Sequence, residues 1–168
     1  MTEGPFIRLS YGVSRLMRFA HQFTDYSDVH LERCPMIGLE RYSDTAALVG
    51  RLFLSSMFLL FGYGKLTGYA GTVGYMGSLG LPAPALFTVL AIIIEIGGGL
   101  LVLVGYKTRL VSLGLAIYVL ISAFIGHSQL GDLNQFQHFM KNMAIVGGLL
   151  AFVAFGGGAY SIDAKNRE

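Results

Sequence analysis

Residues 83–104 read APALFTVLAIIIEIGGGLLVLV, twenty-two residues whose one charged side chain, Glu95, sits near the middle. At about 1.5 Å of rise per residue, a helix of this length crosses a hydrocarbon core of about 30 Å. Lipid offers no partner for backbone N–H and C=O groups, so such a stretch must bond internally, as a helix. Pro82 and Pro84 stand at its entrance, where a missing N–H costs little. Glu95 then falls about 18 Å from Ala83 and about 14 Å from Val104, close to the bilayer centre. An unpaired ionised carboxylate at that depth costs about 2.5–3.5 kcal/mol even on insertion scales. It must turn inward and find a cation or a donor, or take up a proton. Thr88, Ala91, Gly98 and Gly99 share its helical face. These small residues allow close helix approach or leave room for a ligand.

Three further apolar stretches surround this one: Ala46–Leu66, Leu110–Gly126 and Gln135–Phe155. The fold class expected is therefore all-α, a transmembrane four-helix bundle. Composition agrees, since 54% of the 168 residues are hydrophobic and 13% charged. A wetted globular surface usually needs about 25% charged residues. A net charge of +2 is too small for nucleic-acid binding. A lone cysteine, Cys34, excludes dithiol chemistry and Cys-rich metal clusters. The N-terminus lacks the apolar core of a signal peptide, so the first span is expected to direct insertion.

Each remaining span also carries one polar or small face. Arg51, Ser55, Gly62 and Lys65 fall at helical spacing on the first, and Ser112, Ala116, Ala123 and His127 on the third. On the fourth, Asn134, His138, Lys141, Asn142 and Ile145 recur in the same way. A face that is polar over its outer half belongs against a wet or hydrogen-bonded interior. The expected site is a polar pocket that opens outward with Glu95 at its floor. Its candidate ligand-binding residues are Arg51, Lys65, Glu95, His127, His138, Lys141 and Asn142. Depth suggests that the Arg51 guanidinium nearly reaches Glu95, whereas a water or ligand would stand between Glu95 and Lys141. A purely structural ion pair that fixes helix register is the alternative. His127 and His138 lack a third nitrogen or thiolate nearby, so no metal site is expected. Gly97–Gly99 reads as a packing surface and Gly156–Gly158 as a helix stop, neither having the context of a phosphate loop.

Ten of the twelve Lys and Arg residues flank one side of the proposed spans, with Lys65 and Lys141 on the other. The positive-inside rule places both termini in the cytoplasm and the 68–81 and 127–134 loops outside. Before the bundle, Phe6, Leu9, Val13, Leu16, Ala20 and Phe23 recur every three or four residues, with Arg8, Arg15 and Arg18 off that stripe. Residues 1–45 are thus expected to form an amphipathic, basic-flanked helix and a connector. The helix would lie on the anionic leaflet, hold a partner or cap the bundle. The bundle occupies 46–163 and a cytoplasmic tail 164–168.

Phe61–Gly68 (FGYGKLTG), Ile92–Arg109 with its EIGGG core, His127, Lys141–Asn142 and Gly156–Asp163 (GGGAYSID) occur in an order that resembles the DoxX family of small four-span prokaryotic membrane proteins. The resemblance covers residues 46–163 and picks out Lys65, Glu95, His127, Lys141 and Asn142 as its polar positions. It implies a cytoplasmic (inner) membrane protein, a subunit associated with quinol oxidase or thiosulfate:quinone oxidoreductase systems or with other redox enzymes. The expected function is a redox-associated membrane subunit that binds a quinone or other small ligand and carries no intrinsic cofactor. An oxidoreductase or another membrane subunit is the expected partner, beside the lipid bilayer itself, with homo-oligomers open and nucleic acid excluded. A small-anion or metabolite transporter, and an anchor or adaptor for a partner enzyme, are the competing classes. The absence of an inverted repeat or Pro-broken helix weighs against transport.

Overall fold

A computed structural model describes residues 40–166. The N-terminal amphipathic helix and Cys34 lie outside the described residues. Six helices follow in order: α1 (Glu40–Thr67), α2 (Tyr69–Ser78), α3 (Pro84–Val104), α4 (Thr108–Gly126), α5 (Leu133–Phe155) and α6 (Ile162–Lys165). Four of them, α1, α3, α4 and α5, are long and apolar enough to cross a membrane. The described chain is an all-α bundle, as its sequence periodicity demands.

One segment departs from the expected loop. Residues 69–78, placed outside as a connection, form the ten-residue helix α2, which packs against α3. Only Gly68 separates α2 from α1, and the bonds Gly68 N to Gly64 O (2.9 Å) and Thr72 N to Gly68 O (3.0 Å) bracket that break. The first membrane-length helix ends at Thr67, and Lys65 lies in its last turn. The hydropathy of the first stretch falls at Lys65–Gly68, where α1 ends.

Glycine sets the helix spacing. A Cβ on Gly98 would lie 2.7 Å from the Leu115 side chain of α4, and one on Gly99 would lie 3.1 Å from Phe58 Cβ of α1. Adjacent glycines on α3 therefore serve two neighbours at one level. Around them Phe58, Val102, Leu115, Ala116, Val119 and Leu149 form the buried core.

The chain's C-terminal segment clasps one end of the bundle. Gly105 ends α3 in the left-handed region (φ 71°), and its carbonyl accepts from Asp163 N at 3.0 Å. The Asp163 carboxylate in turn accepts from Lys107 N (2.6 Å) and Thr108 N (2.7 Å), capping the start of α4. Asp44 of α1 accepts from Ala159 N at 2.8 Å. Asp163→Ala should therefore lower stability by about 1–2 kcal/mol through the lost cap. Thermal unfolding in detergent checks this, with Asp163→Asn expected to recover part of the loss.

Candidate functional site

Glu95 lies on the small-residue face of α3 with Thr88, Ala91 and Gly99, all buried. Its side chain is 8% exposed and its carboxylate points into the bundle. Gly62 is the residue that permits its pairing: a Cβ there would come within 2.7 Å of Ile96 and 3.2 Å of Glu95 Cβ, so α1 runs tight against α3. Three residues further along α1, the Lys65 ammonium donates to both carboxylate oxygens, at 2.9 Å to Oε1 and 2.8 Å to Oε2. From α4 the Tyr118 hydroxyl donates to Oε1 at 2.7 Å. Three helices therefore converge on one carboxylate. Charge-assisted bonds of this kind are among the strong ones, and low dielectric strengthens them further. Lys65 also lies 5.7 Å from the Phe61 ring centroid, and its side chain remains 23% exposed.

An ammonium has three N–H donors, and Glu95 occupies two of them. The pair is formally neutral, with the Tyr118 phenol beside it. Such a centre favours a neutral ligand with an acceptor oxygen over an anion, because the lysine charge is already compensated.

The cation beside Glu95 is Lys65, whereas Arg51 serves elsewhere. Arg51 is fully buried and donates from Nη1 to Leu103 O (3.2 Å) and from Nη2 to Tyr160 O (2.6 Å). Leu103 lies eight residues beyond Glu95 on α3, about 12 Å along the axis, so helix register holds the guanidinium at the clasp. There it satisfies a carbonyl at the C-terminal end of α3, where a cation is also favoured by the helix dipole.

The remaining candidates gather toward the opposite end. The His127 and His138 rings stack with centroids 5.0 Å apart and planes 15° from parallel, and His127 Nδ1 lies 2.7 Å from Gln135 Oε1. This joins the end of α4 to the start of α5. Asn142 is half-buried and Lys141 exposed on α5. Among the described residues, no hydrogen bond or ion pair ties either one to Glu95. Nor do three His, Cys, Asp or Glu side chains there form a metal-holding group. Tyr118 is the site residue that sequence reasoning missed. A tyrosine inside an otherwise apolar span was its signal, since a buried phenol requires a partner.

The comparisons fit this architecture. The DoxX family model matches residues 46–128. Inner membrane protein YqjF of Escherichia coli (strain K12) is 42% identical over 125 residues, covering 74% of this chain and 95% of the relative. Inner membrane protein YphA of the same strain is 35% identical over 136 residues, covering 74% of this chain and 97% of the relative. No solved structure matches the chain significantly. With four membrane-length helices, close similarity to two inner membrane proteins and a family match that spans the Lys65–Glu95–Tyr118 centre, the chain belongs to the DoxX family and is a multi-pass inner membrane protein.

Proposed function

We propose that the chain is a redox-associated membrane subunit that binds a quinone, or a related small carbonyl ligand, at the Lys65–Glu95–Tyr118 centre. The observation that supports this reading is a carboxylate held near mid-span by an ammonium and a phenol, with a third ammonium N–H remaining for an acceptor oxygen. Intramembrane ionisable groups are expensive to keep and mark functional sites by default. A quinone carbonyl fits this donor set. Lys65 would bind and orient the carbonyl oxygen, while Tyr118 and Glu95 would hold a proton within reach of it. A bound quinone would supply the two-electron chemistry, with electrons delivered by a partner oxidoreductase. With both termini in the cytoplasm, as the positive-inside rule would have it, residues 1–45 would lie on the side where a soluble partner docks.

Glu95→Gln tests the reading, because it keeps the shape while removing the charge that fixes Lys65. Titrated with a short-chain ubiquinone analogue in detergent, the variant should bind at least about tenfold more weakly, a difference of about 1.4 kcal/mol. Unchanged affinity, or no binding by the wild-type protein, would overturn the proposal.

A further inference from the structure

We propose that the Lys65–Glu95–Tyr118 centre is one-sided, closed toward the clasp end by a dry layer to which all four spans contribute and reached only from the end that carries α2 and His127. The inference rests on the reading of this centre as a ligand site.

Two polar layers occupy the bundle interior. The first is the Glu95 centre. The second, at the clasp, comprises Arg51, Ser55, Thr108 and Ser112, each with no exposed surface. Between them the chain inserts apolar side chains on every span. Phe58 is seven residues from Arg51 and seven from Lys65 on α1, about 10 Å from each. Leu115 is three residues from Ser112 and three from Tyr118 on α4. Val102 of α3 and Leu149 of α5 complete the layer, and all four residues are at most 2% exposed. Phe58 and Leu115 lie at a common level, because they press on the adjacent glycines Gly99 and Gly98 of α3, and Val102 and Leu149 belong to the same buried cluster.

A layer packed to this degree excludes water, since an apolar gap without polar partners stays empty. Beyond the Glu95 centre the pattern reverses. Lys65, Gln135, His127, His138 and Asn142 are all partly exposed. Polar groups there have access to the surroundings, whereas Arg51, Ser55, Thr108 and Ser112 have none. Ligand and water therefore share one route to the centre. Continuous passage across the bundle would require the apolar layer to separate.

Cysteine accessibility measures this directly. In a Cys34→Ser background, Ser122→Cys places a thiol one turn beyond Tyr118, next to its phenol. Ser112→Cys places one beneath the Leu115 layer. Each variant is reconstituted into vesicles, its orientation marked by protease access to a C-terminal tag, and treated with a cationic, membrane-impermeant methanethiosulfonate. Ser122→Cys should react at least about tenfold faster from the face opposite the tag, and Ser112→Cys should stay unmodified from that face. Equal reaction of Ser122→Cys from both faces, faster reaction from the tagged face, or none from either would overturn the inference. So would rapid modification of Ser112→Cys from the untagged face. Quinone-analogue titration in detergent, where both faces are open, reports the ligand reading separately. Binding with two-faced access defeats only the one-sided route, and one-faced access without binding defeats only the ligand reading.

Discussion

Lys65→Met should destabilise the bundle by about 3 kcal/mol, because truncating one member of a buried pair leaves the other charge uncompensated. Glu95 is nearly inaccessible, so its carboxylate cannot move to water when the ammonium is removed. Tyr118 alone would then face it with a single hydrogen bond. The converse change is milder. Glu95→Gln leaves a lysine that is already 23% exposed, whose long stem lets its ammonium move toward a wetter region. The double variant Lys65→Met/Glu95→Gln should recover most of the loss, since an amide beside a phenol carries no charge to compensate. Chemical unfolding in detergent micelles gives all three values. Equal losses for Lys65→Met and the double variant would contradict the pairing.

The second large effect is expected at Arg51. Arg51→Met should cost about 2 kcal/mol, because it removes the charged donor of both the Leu103 and Tyr160 carbonyls, and hydrogen bonds to charged groups contribute about 1.5–3 kcal/mol. It also unfastens the C-terminal segment from α1 and α3. Ligand affinity of the folded protein should stay within about twofold of wild type, since a twofold change is less than 0.5 kcal/mol. That split separates a fastening role from a binding one. An Arg51→Met protein with wild-type stability and lost quinone-analogue binding would return Arg51 to the ligand site. Lys substitutes poorly here, because two carbonyls in different segments match a planar guanidinium better than a point charge.

Much of this was legible from Glu95 outward. An acid in the middle of an apolar run has to face inward, and the small residues at helical spacing around it identify the face. Thr88, Ala91 and Gly99 are buried with Glu95 on α3, and Gly98 packs against Leu115. The partner was harder to find because depth was measured from hydropathy boundaries. Lys65 falls where the first apolar stretch fades, in the last turn of α1, so it reads as interfacial, yet its ammonium reaches Glu95. Arg51 falls inside the stretch and reads as the deeper cation, yet the register of α1 against α3 sets it beside Leu103. Pairing depends on register between helices, which a pattern within one helix does not encode. Tyr118 escaped for a related reason. Its ring makes it look apolar, and its position on the edge of the α4 stripe becomes meaningful only once Leu115 has packed on Gly98.

The same packing explains why the glycines matter more than their lack of chemistry suggests. Gly62 brings α1 against Glu95, while Gly98 and Gly99 bring two helices onto α3 just below it. Ion-pair geometry at the centre and closure of the apolar layer therefore depend on one set of close approaches.

The most direct measurement is modification of Glu95 by dicyclohexylcarbodiimide, a lipophilic reagent that attacks carboxyl groups reachable from the acyl chains, followed in membranes by mass spectrometry. A carboxylate enclosed by Lys65 and Tyr118 should remain unlabelled in the wild-type protein and become labelled in Lys65→Met. Rapid labelling of wild-type Glu95, at the same rate as in the variant, would show an acid open to lipid and contradict the account.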